Sequence, residues 1–138
     1  MENQGAESVK EKLFRLTENR KQPAQCHLWA KDRLAEEDLD CLTFVKEYMD
    51  DPHLTRWLSR CKLCGQLYFG EFYEVVDWNK GDDKQYATLI PVESESEADE
   101  ISELTPFQLL IFHPTIRDDS HDKSGKGIHW TARQGGQS

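Results

Sequence analysis

Apolar residues fall at helical spacing through much of the first half of the chain, and strand-like runs begin only after residue 66. Over residues 7–20, Val9, Leu13 and Leu16 lie roughly in register with Phe14 beside them, which predicts a helix that Pro23 ends. Residues 33–49 give the broadest helical face, made of Leu34, Cys41, Leu42, Val45, Tyr48 and Met49. Glu36, Glu37, Asp38 and Asp40 stand in the early turns, where the macrodipole favours acids. Asp50-Asp51-Pro52 stops this helix. Asp51 as a cap and Pro52 at the first position predict a second, short helix through residue 60, presenting Leu54, Trp57 and Leu58.

Strand patterns occupy 67–78 and 85–92, and the polar residues between them predict an antiparallel hairpin. Gly70 inside the first strand suggests a bulge, and Pro91 suggests that the second strand ends there or lies at an edge. The run 93–103 holds six acids and no base, so it reads as a mobile acidic loop. Thr105-Pro106 opens a short helix through Phe112, and His113-Pro114 ends it. Residues 117–127 read as a polar loop, 128–133 as a candidate third strand, and 134–138 as a frayed tail. The expected fold is α+β: one domain over residues 1–138, with an ordered core from about 7 to 133. It has a helical N-terminal half, a Cys-x-x-Cys-Gly knuckle, and an antiparallel β-hairpin with the possible third strand.

Chemistry concentrates at Cys61-Lys62-Leu63-Cys64-Gly65. Two cysteines two residues apart, followed by Gly, form half of a tetrahedral zinc site in many small domains. The knuckle-then-strand order favours structural zinc over a thioredoxin-like pair, which follows a strand and opens a helix. Two more ligands are needed. Cys26, in a loop after Pro23, and Cys41 complete a Cys₄ site, with His27 as the alternative to Cys41. The competing readings are inert core thiols and redox chemistry at Cys61 and Cys64.

The net charge of −9 is concentrated in the middle of the chain. An acidic centre disfavours nucleic acid and favours a basic protein partner. The longest apolar run, Leu109-Leu110-Ile111-Phe112, is too short for a membrane span, and the N-terminus carries no secretory pattern, so a cytoplasmic protein is expected. No Gly-rich phosphate loop, nucleophile elbow or His-Glu-x-x-His is present. The aromatic strand carries Glu71, Glu74 and Asp77 beside Tyr73 and Trp78, a set suited to partner binding by rigid anchors and charge.

From Cys61 to Trp78, about an eighth of the chain, the sequence resembles small uncharacterised bacterial proteins with a Cys-x-x-Cys-Gly turn and an aromatic-acidic strand. The resemblance implies a bacterial origin and no assigned function. The expected role is a non-catalytic interaction protein, most concretely an immunity or inhibitor protein that neutralises a basic toxin such as a nuclease. The alternatives are a metal-dependent or redox enzyme using Cys61 and Cys64, and a small zinc-stabilised regulator or adaptor.

Overall fold

The computed structural model describes residues 7–75, 84–119 and 127–131. Three helices, α1 (Val9–Thr17), α2 (Glu95–Ile101) and α3 (Pro106–Leu109), accompany one antiparallel sheet. Its strands are β1 (Arg33–Leu34), β2 (Leu42–Asp51), β3 (Leu54–Cys61), β4 (Leu67–Val75), β5 (Lys84–Val92), β6 (Thr115–Asp118) and β7 (Ile128–Thr131). Short 3₁₀ turns run over His27–Ala30 and Glu36–Cys41. The strand order is β1-β7-β6-β5-β4-β3-β2. From β2 onward, each strand therefore pairs with the next, and β1 is added beyond β7.

This sheet corrects the expected helical N-terminal half. Residues 42–51 are a strand because their periodicity of three has another cause. The β2–β3 register shifts twice, between Phe44 and Lys46 and between Glu47 and Met49. Each shift inserts a residue on β2, so Leu42, Val45 and Tyr48 reach cover at a spacing of three. Thr43, Phe44, Val45 and Tyr48 also favour a pleated backbone. The expected second helix is the β2–β3 turn and β3 itself. The Asp51 carboxylate accepts the His53 N–H in that turn rather than capping a helix. The apolar neighbours Trp57 and Leu58 belong to a strand covered on both faces.

The sheet is not flat. Six inter-strand gaps would separate its edges by about 29 Å. Yet only the 3₁₀ turn Glu36–Cys41 joins β1 at one edge to β2 at the other, and it rises about 2 Å per residue. The sheet therefore curls until its edges approach. Its concave face carries a row formed by Trp57, Gly70, Leu89, Ile116 and Trp130. Gly70 marks a close approach, not the expected bulge: β4 and β5 stay in continuous register there. A Cβ on Gly70 would lie 2.4 Å from Trp57 Cε2, so only glycine lets the indole cross the strand.

Two cores result. The concave core contains Leu28, Trp29, Leu34, Tyr68, Ile116, Ile128 and Trp130, together with Cys26, Cys41 and Cys61. Trp29 meets Trp130 edge-on with centroids 4.8 Å apart, and Trp130 Nε1 donates to Leu28 O at 2.7 Å. The convex core joins Leu58, Phe69, Ile90 and Val92 to Leu16 of α1, Ala98 and Ile101 of α2, and Leu109 of α3.

The expected acidic loop at 93–103 is largely α2. Ser94 caps it, with Ser94 Oγ accepting from Glu97 N. Ala98 and Ile101 are fully buried at helical spacing. Its acids find bases on other elements: Arg15 binds Glu100, Arg20 binds Glu97, Lys12 binds Glu103, and Lys46 binds Glu95 and Asp99. The structure agrees with the sequence at α1, which has a capping box of Ser8 and Glu11, and at α3, where Thr105 caps and Pro106 is the first residue. The β4–β5 hairpin and β7 are also as expected. Pro91 lies beyond the three residues through which β5 pairs with β6, so its missing N–H breaks no ladder there. No helix among the described residues is long and apolar enough to cross a membrane.

Candidate metal centre

The segment from Cys26 to Trp29 packs into the concave core and brings Cys26 and His27 to the end of β3. Short hydrogen bonds fix this path. Cys26 N donates to Pro23 O, Trp29 N to Cys26 O, and Gln25 Nε2 to Gln66 Oε1. Cys61 is the last residue of β3 and opens a tight turn. Gly65 N donates to Cys61 O at 2.7 Å, and Cys61 N donates to Gln66 O at 2.8 Å. Gly65 has a φ of +86°, the left-handed conformation that costs glycine least. Lys62 N donates to Cys41 O, which ties the 3₁₀ turn before β2 to the same corner.

Three ligand atoms converge there. Those of Cys26, His27 and Cys61 lie within 4.8 Å of one another, close enough to hold a metal ion. His27 Nδ1 is 4.0 Å from Cys61 Sγ. The remaining two thiols border the group: Cys41 and Cys64 both interact with Cys61, and Cys64 also interacts with Cys26. Cys26, Cys41 and Cys61 are buried, whereas Cys64 is exposed at the rim. All four are free thiols.

The surroundings of the sulfurs favour a thiolate at Cys61. Burial works against a charge on Cys61, but the backbone N–H groups of Leu63 and Cys64 and the neighbouring thiols outweigh it, and its pKa is lowered. Burial instead pushes Cys26 up to about 11 and Cys41 up to about 12. For Cys26, burial is opposed by Tyr68 and by the Leu28 N–H. Tyr68 is fully buried, and its hydroxyl has no formed hydrogen bond. The group it faces is Cys26. A buried phenol aimed at a sulfur gains an acceptor when that sulfur is a metal-bound thiolate. Tyr68 was absent from the sequence-derived set. Its signal is strand alternation, which turns it away from Leu67 and Phe69 and toward the cysteines.

The expected partner-binding strand is placed differently. Glu71 is buried, and its Oε2 accepts from Arg56 Nε at 2.9 Å and Nη2 at 2.7 Å. That carboxylate is a structural ion pair and not a surface anchor. Glu74 pairs with His53 at 3.0 Å, and its side chain is 17% exposed. Tyr73 is partly exposed on the convex face. Asp77 and Trp78 lie outside the described residues.

Unmatched acidity gathers elsewhere. Glu36, Glu37, Asp40, Glu47, Asp50 and Asp51 are exposed along the 3₁₀ turn and β2. None of them has an ion pair among the described residues, whereas the acids of α2 are matched to bases. Glu47 and Asp50 border a shallow depression of about 510 Å³ that also takes in Phe44 and Trp57. Phe44 is 66% exposed. The chain matches no protein-family model, and neither the curated proteins nor the solved structures contain a significant match to it.

Proposed function

We propose that this chain is a zinc-stabilised, non-catalytic interaction protein that receives a basic protein partner on the acidic face of β2 and the turn before it. Zinc fits the donor set: Cys26, His27 and Cys61 converge, and Cys64 or Cys41 beside them completes four ligands. A closed set of four leaves no open position for substrate, so the metal's work is structural. It ties residues 26–41 to the end of β3.

One observation carries the partner reading: six exposed acids run along Glu36–Asp51 without a matching base, beside the exposed ring of Phe44. Like charges kept together on a surface cost solubility nothing, but they attract a basic surface and steer its approach. Phe44 and Trp57 supply the apolar centre that an acidic rim surrounds. A basic toxin, such as a nuclease with its phosphate-binding cleft, is the most concrete partner, and the chain then acts as its immunity or inhibitor protein.

The test is capture of a partner from native-host lysate, followed by titration of that purified partner at two salt concentrations. Glu47→Lys with Asp50→Lys is expected to weaken binding at least about tenfold, mainly through association. Glu97→Lys, on the opposite face, is expected to leave it nearly unchanged. A partner that binds the β2 variant as tightly as the unaltered chain, with no salt dependence, would overturn this reading.

A further inference from the structure

Apart from the cysteine corner and the acidic face, one cavity is bordered by a guanidinium with an unpartnered nitrogen among the described residues. It lies on the convex side, where α3 stops short of the ends of β4, β5 and β6, and it measures about 260 Å³. The register places Arg56, Glu71, Thr88 and Arg117 in one row across four strands. The Arg56 end of that row is complete. Both Glu71 bonds come from Arg56, and Arg56 Nη1 also donates to Ser102 O and Leu104 O. The Arg117 end is not complete. Arg117 Nε is buried without a hydrogen-bond partner among the described residues.

Arg117 is half-buried, and a charge partly withdrawn from water is costly without a partner. Glu71 and Asp119 attract Arg117 from a distance, yet burial still makes its charged form less favourable than usual. Glu71 is already spent on Arg56, and Asp119 Oδ1 accepts from Gly127 N. Of the charged groups that line the cavity, Glu71 is held by Arg56 through both of its bonds, which leaves the Arg117 guanidinium to face a ligand. The walls beside it are apolar and aromatic: Tyr73, Tyr86, Phe107 and Leu110. Phe107 is 79% exposed on a four-residue helix, an unusual place for an uncovered ring.

We propose that this cavity binds a small organic carboxylate with a flat apolar body. The planar fork of Arg117 receives the carboxylate with two parallel hydrogen bonds. Tyr73, Tyr86 and Phe107 hold the body by ring contacts. A carboxylate monoanion suits the site better than a phosphate dianion, which would meet the Glu71 carboxylate in the same lining. The volume suits a ligand of one ring.

The experiment titrates the full chain with benzoate and, separately, with benzyl alcohol, which has the same ring and no charge. Backbone amide shifts follow both. Benzoate is expected to saturate, move the amides around Arg117 and Tyr86, and bind at least about tenfold more tightly than benzyl alcohol, or about 1.4 kcal/mol. Arg117→Gln is expected to abolish that preference, and Arg117→Lys to retain part of it. Phe107→Ala, at an exposed position that cannot unfold the domain, is expected to weaken both ligands alike. Equal affinity for the two ligands, benzoate binding unchanged by Arg117→Gln, or no saturable shift at these residues would each overturn the proposal.

Discussion

On the convex side of the sheet, three helices lay Leu16, Ile101 and Leu109 onto Phe69 and Ile90, and ion pairs tie α2 to α1 and β2. On the concave side, the cover is residues 26–41, which contain only 3₁₀ turns and a two-residue strand. The helices satisfy their own backbone groups and need only an apolar stripe to dock. The irregular cover must find partners for each N–H and C=O separately, and does so through contacts such as Trp130 Nε1 to Leu28 O and Lys62 N to Cys41 O. The side with the least regular backbone is the side with the cysteines. A cross-link is worth most where chain entropy is least restrained by secondary structure.

The largest expected effect therefore falls on the concave side. Protein purified under reducing conditions is expected to hold about one zinc per chain by elemental analysis. Cys61→Ser should remove the metal and cost several kcal/mol, because binding of a structural ion is part of the folding free energy. Hydrogen exchange sharpens the comparison. Chelation is expected to expose the amides of residues 26–34 and 61–66 first, while α2 and the centre of β4 keep their protection. Metal-free protein with uniform protection on both faces would mean that Trp29 and Trp130 close the concave side unaided.

The two sides also differ in how far the sequence announced them. The helices α1 and α3 were legible: Val9, Leu13 and Leu16 mark α1 by spacing, and Thr105 with Pro106 marks the start of α3 by its cap. The β4–β5 hairpin was legible as two apolar runs around a polar turn. The β2 strand was hidden, because two register shifts turned its alternation into a spacing of three. The helix α2 was hidden by its acids. Their bases, Lys12, Arg15, Arg20 and Lys46, lie 49 or more residues away, and no local pattern reveals such a pairing. At the metal centre, the cysteines were legible by type and spacing. The thiol-facing hydroxyl of Tyr68 needed the fold.

An intermediate effect is expected from the Arg56–Glu71 pair, which lies under the helices. Arg56 is 2% exposed and Glu71 is 5% exposed. Burial raises the pKa of Glu71, with Arg56 opposing it. Arg56→Met leaves that carboxylate without its partner and strips two hydrogen bonds from Ser102 O and Leu104 O. The expected loss is about 3–5 kcal/mol by denaturant unfolding. The double variant Arg56→Met with Glu71→Leu should recover a large part of it, since an apolar pair of similar volume carries no desolvation cost. Zinc content should not change in either variant. Loss of metal in the Arg56→Met protein would show that the two sides of the sheet unfold as one unit.

The smallest expected effect separates charge from packing within the convex side. Asp99 and Glu100 have lowered pKa values: Asp99 through the Tyr48 hydroxyl and then Lys46, Glu100 through Arg15. A carboxylate whose folded pKa lies below its unfolded value adds stability above the ordinary carboxylate range. That contribution is lost as pH falls through the folded value. Acid should therefore loosen α2 from α1 and β2. These groups are exposed, so screening keeps the contribution small, and about 1 M salt at neutral pH should imitate part of the acid effect. Amide exchange in α2 at neutral pH, with and without that salt, keeps metal release out of the comparison. Faster exchange at Ala98 and Ile101 in high salt, with β4 unchanged, is the expected result. If salt leaves α2 untouched, then Ala98, Ile101 and Leu104 hold it by burial alone, and the ion pairs that hid this helix from the sequence pattern contribute nothing to keeping it in place.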